Sequence, residues 1–160
     1  METRYIELSL DTAKRWYEQG GELKDIALTA FKEHELIGGR LPKTWDEYCA
    51  KHGEVGDKIK ASLDSAYTTI NRYAFSDYKQ TQAHIAMIKL HLLRDEYRQG
   101  WVPEWGNIDE SKFVIEMAGN ELTVENYGIT RHFLAFQDEK RANEFLTNFR
   151  ELIEEAGDLI

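Results

Sequence analysis

The feature that most constrains this chain is a change of period at one short segment, Gln99-Gly100-Trp101-Val102-Pro103-Glu104-Trp105-Gly106. Before it, apolar residues recur at the three-to-four-residue spacing of helices. After it they alternate as in strands, until one last helix closes the sequence. Glycine and proline punctuate both kinds of element, so the segment joins a helical part, 1–100, to a strand-and-helix part, 101–160. It also holds two of the four tryptophans. No repeat or long linker divides the chain, which reads as a single α+β domain over 1–160.

Within the helical part, Ser9 to Gln19 is predicted as a short helix. Ser9 can cap it, Leu10, Ala13, Trp16 and Tyr17 share a face, and Gly20-Gly21 stops it. Glu22 to His34 carries Leu23, Ile26, Ala27, Ala30 and Phe31 on one face, so the two helices form a hairpin with a two-glycine joint, and Gly38-Gly39 ends the region. Thr44 and Glu47 have the spacing of a capping box, which starts a helix at Trp45. His52 to Asp57, with two glycines, reads as loop. Ile59, Leu63, Ala66 and Ile70 mark a further helix, weakened by Tyr67-Thr68-Thr69. Thr81 to Gln99 is the longest helix. Its main stripe, Ala83, Ala86, Met87, Leu90, Leu93 and Tyr97, is widened by Ile85, Ile88 and Leu92, the pattern of a central helix with several neighbours.

Beyond the tryptophans, Lys112 to Met117, Leu122 to Glu125 and Ile129 to Phe136 read as strands separated by Ala118-Gly119-Asn120-Glu121 and Asn126-Tyr127-Gly128, a small antiparallel β-meander. Asp138 caps a last helix through Ala142, Phe145, Leu146, Phe149, Leu152, Ile153 and Ala156. Its stripe is expected to pack on strands around Phe113 and Phe133.

A chain of 160 residues with 42% hydrophobic and 12% aromatic residues can bury a core without staples. The net charge is −9, and residues 80–160 hold 8 basic against 15 acidic side chains. Such a surface repels phosphate backbones and anionic lipid, so neither nucleic acid nor membrane is expected as a partner. Cys49 is the only cysteine, which rules out an internal disulfide and a cysteine-based zinc site. The first residues lack the layout of a signal peptide, and no apolar run nears the ~18 residues that span a bilayer. A cytoplasmic location is expected.

Candidate chemistry is sparse. His84 and His91 lie two helical turns apart with Asp95 one turn on, but a metal site needs further ligands that nothing signals. Glu33-His34-Glu35 suits a solvated helix end better than general acid/base work, because adjacent helical residues point apart. Asp109-Glu110 and Glu154-Glu155 read as solvated faces. Cys49 has His52 nearby in sequence, yet fits a half-buried small hydrophobe equally well. Phosphate-binding glycine loops, a Gly-x-Ser-x-Gly elbow and His-Glu-x-x-His are absent. No catalytic residue, metal or cofactor is expected.

The aromatic residues of the second part, Trp101, Trp105, Phe113, Tyr127, Phe133 and Phe136, make either a sheet-to-helix core or a ligand surface. Gly100 should end the long helix, and Pro103 should hold the chain extended, sending the two indoles to different environments. Trp101 is expected to seal the junction of helices and sheet and Trp105 to stay partly exposed. Trp101, Trp105 and Tyr127 are the candidate ligand- or partner-binding residues.

Leu92 to Gly100, then Trp101-Val102-Pro103-Glu104-Trp105, the strand from Lys112, and Leu134-Ala135-Phe136 leading into Phe145 to Ile153 carry a resemblance, joined at the front by Leu41-Pro42-Lys43-Thr44-Trp45. The pattern resembles small uncharacterised phage- and prophage-associated proteins of gut bacteria with a Gly-Trp-x-Pro-x-Trp element. Their usual aspartate before the second tryptophan is Glu104 here, which keeps the charge. The resemblance implies a phage-related cytosolic protein and carries no catalytic residue. The expectation is a non-enzymatic interaction protein that binds a host or viral protein. The alternative is a binder of a small molecule, such as a nucleotide signal, in an aromatic pocket. An enzyme using His84, His91 or Cys49 ranks last.

Overall fold

Three helices start where the sequence offers a side-chain cap. The Ser9 hydroxyl accepts the Thr12 N–H to open α1, Leu10–Gln19; the Thr44 hydroxyl accepts the Glu47 N–H to open α4, Trp45–Lys51; the Asp138 carboxylate accepts the Arg141 N–H to open α7, Glu139–Ala156. The computed structural model describes residues 8–37, 40–73, 78–128 and 131–159. Its other elements are α2, Gly21–Ala30; α3, Glu33–Ile37; α5, Gly53–Tyr73; α6, Tyr78–Arg98; β1, Lys112–Ala118; β2, Glu121–Tyr127; β3, Ala135–Phe136; and a 3-10 turn, Gly157–Leu159. The fold is α+β, as the sequence implies.

Four elements depart from expectation, each for a physical reason. The helix expected over Glu22 to His34 breaks at Phe31, whose extended backbone lets its ring join the cluster of Ala13, Tyr17, Ala27 and Leu36. The Glu35 carboxylate then accepts the Lys32 N–H and starts α3. Of the loop expected from His52 to Asp57, only His52 remains a turn, and α5 begins at Gly53. Gly56 is there for proximity, since a Cβ on it would lie 1.9 Å from the Cys49 carbonyl oxygen of α4. The strand expected over Ile129 to Phe136 reduces to β3, with Ile129 outside the described residues. Side chains claim backbone carbonyls before and within it: that of Phe133 accepts from Arg94 (3.2 Å) and that of Ala135 from Arg98 (2.8 Å). Finally, the strand order is β2-β1-β3, so the third strand returns beside the first instead of extending a meander.

Strand β1 pairs Ile115 with Val124 and Phe113 with both Asn126 and Phe136, which puts Phe113, Ile115, Leu122 and Phe136 on the face packed against the helices. The core joins them to Leu90, Leu93 and Tyr97 of α6 and to Phe145, Phe149 and Ile153 of α7. Phe136, not Phe133, meets Phe145, at 4.9 Å between centroids; Phe133 stands beside α6 under the Arg94 guanidinium. Tyr97 is fully buried at the centre. Its ring meets Phe145 and Phe149 edge-on, its hydroxyl donates to the Pro42 carbonyl (2.8 Å), and Asn148 donates to that hydroxyl (2.9 Å). Burial pushes the hydroxyl up to about 12.

Tyr97→Phe keeps the ring and strands two polar partners in the interior. The expected loss is about 1 to 3 kcal/mol, read as a lower urea midpoint with an unchanged slope; an unaltered midpoint would show that the hydroxyl contributes nothing.

Candidate functional site

The segment after α6 takes its shape from one ammonium group. Lys112, the first residue of β1, is fully buried, and its Nζ donates to the carbonyls of Asn107 (2.8 Å) and Glu110 (2.9 Å) and pairs with the Glu110 carboxylate (3.1 Å). Those contacts use all three donors of a lysine. Glu110 also accepts the Glu104 N–H (2.8 Å) and the Trp101 indole N–H (3.1 Å). The Glu104 N–H foremost, with Lys112 and Trp101, holds its carboxyl below the usual range against the opposing pull of desolvation. Glu110 is therefore the knot of the loop and not a solvated face.

Both indoles stand at this ion pair. Trp101 binds it through its N–H with Arg98 over its ring at 5.7 Å, and the Lys112 ammonium lies 6.0 Å from the centroid of Trp105. Each ring is half-buried. The separate environments expected of them are thus replaced by one shared anchor, because an unforeseen charge pair lies between them. Trp101 does not seal the junction of helices and sheet, a place taken by Tyr97, Phe136 and Phe145. Pro103 is buried and Val102 exposed, the alternation of an extended path.

Tyr127 faces Lys112 in strand register, so all three candidate residues gather at one end of the sheet. Its hydroxyl donates to Glu116 (2.6 Å), a bond that raises its pKa, and its ring stacks on His132 at 4.9 Å. All three side chains are engaged within the molecule.

The remaining candidates do not converge. His84 Nδ1 lies 2.7 Å from the Gln80 carbonyl, and His91 faces Asp95 at 3.3 Å. Among the described residues, no group of three or more His, Cys, Asp or Glu side chains is placed to hold a metal ion. Cys49 is buried, and that burial pushes its thiol up, away from the reactive thiolate. His52 turns instead to Glu96 (3.3 Å) and the Tyr48 ring. The His34 side chain lies outside the described residues.

Sequence reasoning missed an open apolar hollow of about 280 Å³ lined by Met87, Ile88, His91, Leu92 and Phe133. Ile88 is 44% exposed there. Arg94 fixes Phe133 by lying 4.5 Å from its ring and donating to its carbonyl. The signal was present in the second apolar row of α6, Ile88 and Leu92, which reads equally as a surface for neighbouring helices. Comparison with protein families, with curated proteins and with solved structures returns no match.

Lys112→Met should cost on the order of 3 kcal/mol and shift tryptophan emission to the red as the loop opens around Trp101 and Trp105; wild-type emission would show that the ammonium does not organise the loop. The pH dependence follows from Glu110. Its folded-state pKa is depressed, so its contribution is full above the ordinary glutamate value of about 4.3 and drains away as pH falls through the lower folded value. Glu110→Gln should flatten the acid limb of the urea midpoint against pH, and an acid limb identical to wild type would contradict this.

Proposed function

We propose that this protein is a non-enzymatic interaction protein whose partner is another protein, of phage or host origin, docked at the hollow on α6. One observation carries the reading: Met87, Ile88, Leu92 and Phe133 form an apolar depression that no described element covers, on a chain of net charge −9. Contiguous exposed apolar surface on an otherwise charged domain is characteristic of interaction sites. The acidic field selects the partner's chemistry, an apolar anchor side chain set in a lysine- and arginine-rich surface. The phage or prophage setting rests on the sequence resemblance alone. A small-molecule pocket between Trp101 and Trp105 is the weaker reading, because both indoles already serve the Glu110–Lys112 pair.

A photo-crosslinking residue replacing Ile88, expressed in the native cell, should yield one discrete protein adduct that weakens at high salt. The same residue replacing Ile108, 73% exposed in the tryptophan loop, should not. Equal adducts from both positions, or none from Ile88, would overturn the proposal, and adducts made only in phage-infected cells would assign the partner to the virus.

A further inference from the structure

Trp45, the first residue of α4, lines a groove of about 500 Å³ between α4, α6 and α7. That volume falls in the range of roughly 300 to 1,000 Å³ typical of small-molecule sites. The indole is half-buried and stacks on Tyr48, with centroids 5.2 Å apart and planes at 14°. The Lys89 ammonium stands 5.7 Å from the Trp45 centroid. Among the described residues Lys89 has no carboxylate partner. Arg150, on the α7 wall, has a loose contact with Glu154 at 3.8 Å, both side chains half-exposed. The same wall is where α7 kinks: Phe149 leaves helical geometry (φ −125°, ψ 21°) and turns its ring into the core, beside groove-lining Asn148 and Arg150. The groove thus combines a flat aromatic platform, the Lys89 ammonium, an Arg150 guanidinium only loosely held by Glu154, hydroxyl and amide groups from Thr44, Thr147 and Asn148, and one carboxylate, Glu151, at the α7 wall.

We infer that this groove binds a planar aromatic anion, its ring against Trp45 and its negative group between Lys89 and Arg150. The chemistry excludes the simpler alternatives. An apolar ligand would cover the Lys89 ammonium without giving it a partner, an inorganic anion would make no use of the indole, and a cationic ligand would meet Lys89 where it must stack. The lysine stem is long enough to leave the indole face and follow the anion, while the guanidinium offers the paired donors that suit carboxylate and phosphate alike. A nucleoside monophosphate and an aromatic carboxylate share this chemistry. The site stands apart from the α6 hollow, with which it shares no lining residue.

The test follows the indole N–H resonance of Trp45, assigned by its loss in Trp45→Phe, during titration with guanosine monophosphate, indole-3-acetate, guanosine and inorganic phosphate. At least one of the two ring-bearing anions should shift it saturably, and guanosine and phosphate should not; which of the two binds distinguishes a nucleotide from a carboxylate source. Lys89→Gln, at a half-buried position, and Arg150→Gln, at an exposed one, should keep the wild-type melting temperature and weaken binding about tenfold each. The inference is overturned by silence from both anions, by an equal response to phosphate or guanosine, or by affinity unchanged in both variants.

Discussion

Tyr97 is the side chain on which the rest of the structure depends. It is the last fully buried residue of α6, and it touches the other layers by three different means: ring edges on Phe145 and Phe149 of α7, a donated hydrogen bond to the Pro42 carbonyl ahead of α4, and an accepted one from Asn148. An apolar residue could supply the first contact only. The hydroxyl makes burial of the Pro42 carbonyl tolerable, since a buried acceptor without a donor costs as much as a lost hydrogen bond. Through it the chain before α4 is held to the same centre that orients α6 against α7, and so fixes the walls of the Trp45 groove.

A second theme is the inward use of positive charge. Arg94 and Arg98 serve the carbonyls of Phe133 and Ala135, Arg141 serves the Tyr97 carbonyl in the last turn of α6, and Lys112 serves those of Asn107 and Glu110. Helix ends and irregular segments leave acceptors that water cannot reach, and long basic side chains satisfy them from a distance. Burial lowers the Arg98 pKa only to about 10, so the group keeps its charge at neutral pH. These cations spend their donors on the backbone but keep their charge, so the net charge of −9 already counts them.

What was legible in the sequence was local. Ser9, Thr44 and Asp138 cap because the hydroxyl or carboxylate and the N–H it accepts are three residues apart, a distance that no tertiary contact has to set. Even there the reciprocal half of the Thr44 box shifts by one position, with Glu47 accepting from the Lys43 N–H. What was illegible was distant in sequence or hidden in composition. Gly56 looks like a loop residue until α4 is known to lie against it, and Lys112 looks like a solvent-facing strand start until the loop is known to close over it. The tryptophan element announced its place but not its partner, since nothing in Asp109-Glu110 sets one acid apart from the other. The Trp45 groove needs three helices that meet only in the folded chain.

The hairpin of α1 and α2 rests on a second, much smaller cluster, Ala13, Tyr17, Ala27 and Leu36, tied to the rest by Ala50 and by Arg40, which reaches Glu47 and Glu18. Two helices of ten residues each are marginal on their own, and four buried side chains add little to them. Such a unit opens at a fraction of the free energy that the main core requires. Two lifetimes are accordingly expected within one molecule, with the amides of α1 and α2 exchanging while Tyr97 and its neighbours stay closed.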